Sequence, residues 1–371
     1  SACLVGSEMC IRDRWDAVPN GVTKEQYQPL DDYLDLNDDI WSDMSDVIEM
    51  FKYKDKHYVV PYCLSDPLLI TYNRSLCEEN GLDDPYELYK KDKWDWDTFM
   101  DMMKTFVSNA KDGETRYGIN GWFGQAMVQS TGETFVKYDG TKFSNNISSP
   151  AIEEAEGVME EIMSLGLYDP TWYGYLPDDG STLFFGMADW ALGASNVKAD
   201  PKPDYEDNGY VEENDLMIVP FPKQPGSDEY YLNCNFGAKM LVKNSDKGAA
   251  VAAYIKCERL ASMIDEYKDA AKEKAIIPEV NAQGKLKSYV TEEQYDALQD
   301  YKDPKNITPV FDFGYGMGSR MYGDGEYTYE TRGVMNNLTS ALLNGDKDSW
   351  AVLRDEWSSV IDEVIDGYNN K

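Results

Sequence analysis

The segment YVVPYCLSDPLLITYN, residues 58–73, contains two apolar runs that a short polar turn separates. Both runs are short and rich in β-branched and aromatic side chains, which is typical of buried strands. We therefore predict one strand over HYVVPY (57–62) and a second over PLLITYN (67–73), with the turn between them.

Strand and helix patterns alternate along the rest of the chain. Further strands are predicted over 216–222 and 239–245. Helices are predicted over 94–106, 148–166, 247–260 and 348–368. Asp95 or Asp97 is expected to cap the helix over 94–106. Ser149, which precedes a proline, is expected to cap the helix over 148–166. Alternation of this kind favours the α/β class.

The composition argues against several classes of function. The chain carries 68 acidic and 35 basic residues, which gives a net charge of −33. Such a chain repels phosphate backbones, so we expect neither nucleic acids nor polyanionic ligands as partners. No apolar run reaches the length of about eighteen residues that a membrane-spanning helix needs. The 371 residues are enough for two domains.

Residues that bind metals or cofactors are scarce. His57 is the only histidine, which argues against a zinc site and against a Ser/His/Asp triad. The glycines of GYGMGSR (314–320) lack the strand–turn–helix context of a phosphate loop, and Asp324 and Glu326 lack the spacing of a calcium loop. We therefore predict no cofactor and no metal. The cysteines beyond residue 14 show no metal-ligand spacing and are predicted to be buried apolar side chains: Cys63, Cys77, Cys234 and Cys257.

Aromatic residues are abundant, with 27 tyrosines and 9 tryptophans. Several lie beside glycine, asparagine and proline in predicted loops. An aromatic ring offers a flat apolar face, and tyrosine and tryptophan add a polar tip, which suits the C–H face of a sugar ring. The aromatic loops are thus a hint of a carbohydrate ligand.

The order of the motifs resembles a known family. After residues 58–82 the chain continues with WDWDTFMDMMKTF (94–106), GINGWFGQAMVQSTGETF (118–135), the segment 139–167, LFFGMADWALGAS (183–195), MIVPFPKQPG (217–226) and the segment 232–262. Over residues 15–371 this ordered set resembles the extracellular solute-binding proteins of ABC-type sugar importers, the maltose-binding-protein-like family.

The resemblance implies a two-lobed, periplasmic-binding-protein-like (type II) α/β fold, with hinge strands between the lobes and ligand in the cleft. Lobe one would contain residues 15–70 and 236–305, and lobe two residues 73–230 and 310–371. The family's opening strand–helix–strand set has no counterpart here, so lobe one is expected to be incomplete.

The first residues fit no part of this fold. In one codon choice LVGSEMCIRDR (4–14) is a transposon-type sequencing adapter translated in frame, so we treat residues 1–14 as an artefact. A genuine N-terminal segment is the alternative. If residues 4–14 are a translated adapter, the native gene would begin upstream, and the true N-terminus would be missing.

The resemblance also implies how the protein works. Ligand contacts to both lobes favour the closed form over the open one. The expected partners are an oligosaccharide of two or more units, a pair of membrane permease subunits and an ATPase. The protein would be a monomer, extracellular or periplasmic, held at the membrane as a lipoprotein, and not an enzyme.

Several ligand-binding residues are implied at the lobe-one side and the hinge. Trp15 lies where family members often carry a stacking aromatic residue just past a strand. Ser65 and Asp66 match a position that often holds a carboxylate, and a turn cap is the alternative role for Asp66. Asn233 and Asn235 lie at the second hinge crossing, where they would bind sugar hydroxyls.

In lobe two, Trp122 and Phe123 match the family's paired aromatic position. Ser195 and Asn196 are further candidates, although the family often has a tryptophan near this point. Trp190, in the preceding strand pattern, is expected to pack inside the strand.

Tyr329 and Arg332 fall near the family's third aromatic position, where Arg332 replaces an expected ring and leaves the sugar undefined. Other interpretations stay open. The abundant carboxylates could supply the acid/base pair of a carbohydrate-active enzyme. The protein could also serve a sensor instead of a transporter, or bind a peptide or polyol.

Overall fold

The computed structural model describes residues 18–204, 209–323 and 328–370. The strands are β1 Tyr27–Gln28, β2 Val59–Ser65, β3 Leu68–Asn73, β4 Tyr117–Gly121, β5 Val136–Tyr138, β6 Phe143–Asn145, β7 Tyr168–Asp169, β8 Thr182–Ala188, β9 Leu216–Pro220, β10 Tyr231–Asn233, β11 Asn235–Val242, β12 Glu279–Val280, β13 Leu286–Ser288 and β14 Thr308–Val310. The helices are α1 Asn20–Thr23, α2 Ser45–Met50, α3 Arg74–Glu79, α4 Pro85–Lys90, α5 Trp96–Ser108, α6 Gly124–Gln129, α7 Pro150–Ser164, α8 Leu192–Ala199, α9 Gly248–Met263, α10 Asp265–Ala275, α11 Glu292–Tyr301, α12 Ser319–Tyr322, α13 Val334–Ser340 and α14 Trp350–Asn369. Short 3-10 helices lie at Asp39–Trp41, Asp189–Ala191 and Phe313–Gly316.

Two sheets organise the molecule. The first has the order β1-β11-β2 with antiparallel pairing, and helices α2 and α9 pack against it. The second has the order β7-β4-β8-β3-β9. In this sheet β4 runs parallel to β7 and β8, whereas β3 runs antiparallel to β8 and β9. Sheets flanked by helices confirm the predicted α/β class.

The two strands predicted over residues 57–62 and 67–73 belong to different sheets. β2 pairs in the first sheet and β3 in the second, so the turn at Asp66 and Pro67 carries the chain from one to the other. Asp66 has a φ of 46°, in the left-handed region that aspartate and asparagine tolerate better than most residues. A second junction lies at Cys234, which joins β10, paired with β14 in a separate two-stranded sheet, to β11 of the first sheet.

Most predicted helices have the expected starts. α5 begins at Trp96, and the Asp95 side chain caps it by accepting a hydrogen bond from the Thr98 N–H at 2.9 Å. α7 begins at Pro150 with Ser149 at the N-cap, but the Ser149 hydroxyl makes no cap hydrogen bond with the described residues. The apolar face of this helix, with Ile152, Ala155, Met159 and Ile162, is buried. Propensity therefore places the helix start correctly even where the capping bond does not form.

The cysteine prediction is only partly correct. Cys77 and Cys234 are buried, as expected for small apolar side chains, while Cys63 is half-buried and Cys257 is exposed on α9. In the part of the chain that is described, none of the four forms a disulfide bond.

The predicted lobe boundaries stay a prediction, and several contacts cross them. Residues 236–305 were assigned to the lobe of the first sheet, yet α11 packs on β9 of the second sheet. The Gln294 side chain donates to the Leu216 carbonyl at 2.7 Å, and Arg74 forms an ion pair with Glu293 at 2.7 Å.

Several predictions fall on residues outside the described ranges: the excluded segment 1–14, Trp15, Asp324 and Glu326. In the part of the chain that is described, no helix is both long and apolar enough to cross a bilayer.

Candidate functional site

A cavity of about 400 Å³ opens where the chain passes between the two sheets. The turn at Asp66 and the junction around Cys234 both line it, so the residues that connect the sheets also form its wall. The lining residues on which the site depends are Asp66, Trp122, Trp190, Asn233, Asn235 and Tyr322. Clefts at the junction of two units are common ligand sites.

A second cavity, of about 760 Å³, adjoins the first. Trp122 and Tyr322 line both cavities, and Trp172 and Arg332 line the second. Because the two cavities share side chains, they are direct neighbours. We call this pair of cavities the cleft.

Three tryptophans line the cleft. Trp190 is 58% exposed and Trp172 is 63% exposed, while Trp122 is half-buried. None of the three indole N–H groups donates to another residue in the described ranges. A large apolar face left open to water in a cavity is uncommon in a folded protein and marks a binding surface.

Local backbone geometry holds Trp122 in the cleft. Gly121 ends β4 with a φ of 108°, and a side chain there would collide with the Gly186 carbonyl of β8. The Trp122 N–H donates to that same carbonyl at 2.9 Å. Only glycine permits this close approach, and the approach places the indole beside the cleft.

The prediction that Trp190 packs inside a strand is wrong. β8 ends at Ala188, and Trp190 lies in the 3-10 turn that follows. The Asp189 N–H donates to the Pro67 carbonyl at 3.1 Å, which joins this turn to the connection between the sheets. As a result, the indole faces the first cavity.

The polar groups of the first cavity include three amides, of Gln125, Asn233 and Asn235, and the carboxylate of Asp66. The Asn233 side chain is buried and donates to the Gln129 side chain. Asn235 is half-buried and pairs with Ser65 in the ladder between β11 and β2. Asp66 is exposed. Amide and carboxylate groups of this kind are the usual partners of sugar hydroxyls.

An ion pair lies behind the exposed Trp190. The Lys302 ammonium lies 3.3 Å from the Asp189 carboxylate, and both side chains are mostly buried. Burial raises the pKa of Asp189 above its usual value, the Lys302 ammonium lowers it, and the Asp66 carboxylate adds an increase. The Lys302 ammonium therefore already has an ion-pair partner in Asp189.

Arg332 lines the second cavity, but its charge is used internally. Its Nε donates to the Asn337 side chain at 2.6 Å, and its guanidinium forms an ion pair with Asp346. It also lies over the Tyr329 ring, 5.6 Å from the ring centre. The expected ring position thus holds a cation whose partners are supplied by the protein.

Several predicted site residues lie away from the cleft. Phe123 is fully buried and stacks on Phe221 with ring centres 6.0 Å apart. Ser195 and Asn196 are fully buried in α8. The Ser195 hydroxyl donates to the Ala191 carbonyl at 3.0 Å and accepts from the Leu176 N–H at 2.9 Å.

Asn196 and Tyr329 likewise have structural contacts. Asn196 exchanges hydrogen bonds with Gln294 and donates to the Tyr289 carbonyl at 2.8 Å, which ties α8 to α11. The Tyr329 hydroxyl accepts from the Trp357 indole at 3.0 Å. The polar groups of these side chains are thus used in contacts within the protein.

Sequence reasoning missed Trp172 and Tyr322. Trp172 lies in the segment DPTWYGYLP (169–177), whose prolines and glycine signal a loop. An aromatic residue in such a loop was a usable signal, because no apolar period explains it. Tyr322 has no comparable signal, since only the fold brings the end of α12 to the cleft.

No group in the described ranges 18–204, 209–323 and 328–370 has the arrangement of histidine, cysteine and carboxylate side chains that holds a metal ion. The groups that line the cleft are aromatic faces, amides, hydroxyls, the Asp66 carboxylate and the Arg332 guanidinium.

Known structures share this architecture. The cyclic alpha-maltosyl-1,6-maltose binding protein from Arthrobacter globiformis is 16% identical, with a TM-score of 0.63 over 95% of this chain and 83% of that one. The sugar-binding protein MalE from Xanthomonas citri is 13% identical, with a TM-score of 0.62 over 95% and 82%. The galacto-N-biose-/lacto-N-biose I-binding protein of the ABC transporter from Bifidobacterium longum is 13% identical, with a TM-score of 0.61 over 95% and 81%.

At these identities the similarity shows the fold, and it confirms the predicted two-lobed architecture. No curated protein sequence matches the chain. A family model, described as bacterial extracellular solute-binding protein, matches residues 13–225, more than half of the chain. The chain therefore belongs to the family of bacterial extracellular solute-binding proteins.

Proposed function

We propose that this protein is the substrate-binding subunit of an ABC-type importer and that it binds an oligosaccharide in the cleft. The observation that carries the proposal is the set of three tryptophans, Trp122, Trp172 and Trp190, which line two adjoining cavities beside the connection between the sheets. The structurally similar proteins from Arthrobacter globiformis and Bifidobacterium longum are named for saccharide ligands, which supports the same ligand class here.

The arrangement suits a saccharide of more than one unit. Trp190 lies in the first cavity, Trp172 in the second, and Trp122 between them. Each indole face can cover the C–H face of one sugar ring, and the amides of Asn233 and Asn235 can bind hydroxyls. A single ring would contact only one end of the cleft.

Binding would act through hinge closure. Ligand that touches the walls from both sheets stabilises the closed form by its differential affinity for the two forms. The expected partners are two permease subunits and an ATPase. The protein would act outside the cytoplasmic membrane as a lipid-anchored monomer.

Binding without catalysis is the simpler function for this cleft. Glycoside hydrolysis needs a pair of carboxyl groups on either side of the scissile bond. Among the described residues, Asp66 is the one carboxylate that lines the cleft. The described lining residues therefore do not include the pair of carboxyl groups that hydrolysis needs.

Isothermal titration calorimetry with a panel of neutral oligosaccharides, a peptide and a polyol tests the proposal. We expect saturable heat with at least one oligosaccharide of two or more units, and no release of reducing sugar on long incubation. Heat with the peptide or the polyol alone would contradict the saccharide class, and released sugar that a change at Asp66 abolishes would contradict the binding role.

A further inference from the structure

We propose that the cleft selects its saccharide by charge, with Asp66 as the determinant: a ligand that carries an ammonium group binds more tightly than its neutral counterpart, and one that carries a carboxylate binds least. This inference rests on the proposed function and specifies its ligand class. It follows from the balance of charged groups in and beside the cleft.

Asp66 is an uncommitted carboxylate. Its side chain is exposed at the first cavity and has neither a hydrogen bond nor an ion pair with another residue in the described ranges. Trp190 lines the same cavity. A carboxylate beside an aromatic face is the combination that proteins use to bind an ammonium group, through a charge-assisted hydrogen bond and a cation–π contact.

The Lys302 ammonium does not cancel this charge. Lys302 is paired with Asp189 at 3.3 Å, and the pair lies behind Trp190. Asp66 acts on Asp189 electrostatically, so the three groups are close neighbours. Two carboxylates and one ammonium leave this end of the cleft with one excess negative charge.

The other end of the cleft is balanced. Arg332 is the one cationic side chain that lines the cleft among the described residues, and Asp346 pairs with it. Asn337 takes a further guanidinium hydrogen bond at 2.6 Å. A ligand carboxylate would have to compete with both partners for this cation, so Arg332 is a poor anion site.

The rest of the protein acts in the same direction. The net charge of −33 makes the surrounding potential negative, which attracts cationic ligands and repels anionic ones. A local carboxylate and a global field of the same sign both favour an ammonium-bearing saccharide. We expect about a tenfold difference in affinity between the cationic and the neutral ligand, which is the size of one charge-assisted hydrogen bond.

Three trisaccharides of matched size test the proposal: a glucosamine trimer, its N-acetylated neutral form and a uronic acid trimer. Titrations at about pH 6 keep the amines protonated, because that pH lies below the usual pKa of such amines. The expected order of affinity is glucosamine, then the neutral form, then the uronate, and added salt should narrow the differences.

The variant Asp66→Asn separates charge from shape. Asparagine tolerates the left-handed backbone at this position and keeps the side-chain size. We expect the variant to weaken binding of both trimers, because Asp66 lines the cleft, and to lower the ratio of glucosamine affinity to neutral affinity about tenfold. The matched control is Asp101→Asn, which removes the same charge from the exposed face of α5 and should change neither affinity.

The outcomes separate the two proposals. Uronate binding as tight as neutral binding, or a glucosamine preference that survives in Asp66→Asn, would overturn the charge selection and leave the saccharide-binding function standing. Absence of binding by every saccharide, in a protein whose circular dichroism shows a folded chain, would overturn both.

Discussion

Trp94 and Trp190 carry the same side chain in opposite environments. Trp94 is fully buried, its indole N–H donates to the Pro220 carbonyl at 2.8 Å, and its ring packs edge-on against Phe99 and Phe184. Trp190 is 58% exposed, and its indole has no partner among the described residues. The first side chain stabilises the fold, whereas the second is available to a ligand.

Two carboxylates show the same contrast. Glu156 is fully buried in α7, and neither of its oxygens has a hydrogen-bond partner in the described ranges. Asp66 is exposed in the cleft. A buried unpaired carboxyl weakens the fold in its charged form, while an exposed one keeps its charge for binding. Function in this molecule therefore lies where polar and aromatic groups are uncommitted and open to solvent.

Replacing the buried tryptophan should have the largest effect. We expect Trp94→Ala to lower the free energy of unfolding by about 3–5 kcal/mol, because it removes a packed ring and leaves a cavity. Urea unfolding measures this loss. Trp190→Ala is the matched variant and should stay within about 0.5 kcal/mol of the wild type. Equal losses in both variants would erase the distinction between core and cleft.

The cleft tryptophan should instead control affinity. We expect Trp190→Ala to weaken binding of the best oligosaccharide about tenfold or more, because the sugar loses a stacking face. Calorimetry measures the change. Trp190→Phe keeps a ring and should recover part of the affinity. Unchanged affinity in Trp190→Ala would place the ligand elsewhere.

The buried carboxyl predicts a pH-dependent stability. Burial raises the pKa of Glu156 well above its usual value, and the neighbouring Glu160 adds to the increase. The folded state therefore favours the protonated form, so ionisation of this group does not lower the stability at pH values below its unfolded pKa. Above that value, its contribution to stability falls as the pH rises towards the folded-state pKa.

Glu156→Gln removes this titration. We expect the variant to gain more than about 1 kcal/mol over the wild type between pH 5 and pH 8, since each unit of pKa shift corresponds to about 1.4 kcal/mol. Urea unfolding at both pH values gives the comparison. Asp101→Asn, on an exposed face, should show no such gain. A constant difference at the two pH values would mean that Glu156 ionises freely.

The smallest effect on binding is expected at Ser195. Its hydroxyl donates to the Ala191 carbonyl and accepts from the Leu176 N–H. Ser195→Ala should therefore lower the free energy of unfolding by about 1 kcal/mol through lost hydrogen bonds. Oligosaccharide affinity should stay the same, because the side chain is buried away from the cleft. A clear loss of affinity at unchanged stability would return Ser195 to the list of ligand-binding residues.

The fold was largely predictable because it depends on local patterns. The two strands over 57–62 and 67–73 and the helix capped by Asp95 follow from apolar periods and capping chemistry, and the structure has them within a few residues. The contact of α11 with β9 was not predictable, since packing between distant segments leaves no periodic signal.

The site was predictable only in part. Asp66, Trp122, Asn233 and Asn235 do line the cleft, because they lie at the connections between sheets or follow a strand end. Sequence order alone cannot tell which of two adjacent aromatic residues faces outward, and for this reason Trp122 and Phe123 received the same role although the second is core.

Quenching of tryptophan fluorescence by acrylamide, with and without a bound oligosaccharide, tests the central claim most directly. The account predicts that ligand protects the exposed tryptophans, so that quenching falls, and that a variant with phenylalanine at Trp172 and Trp190 loses most of this protection. A ligand that binds with measurable heat but leaves quenching unchanged in the wild type would contradict the account, because the cleft would then remain open to solvent.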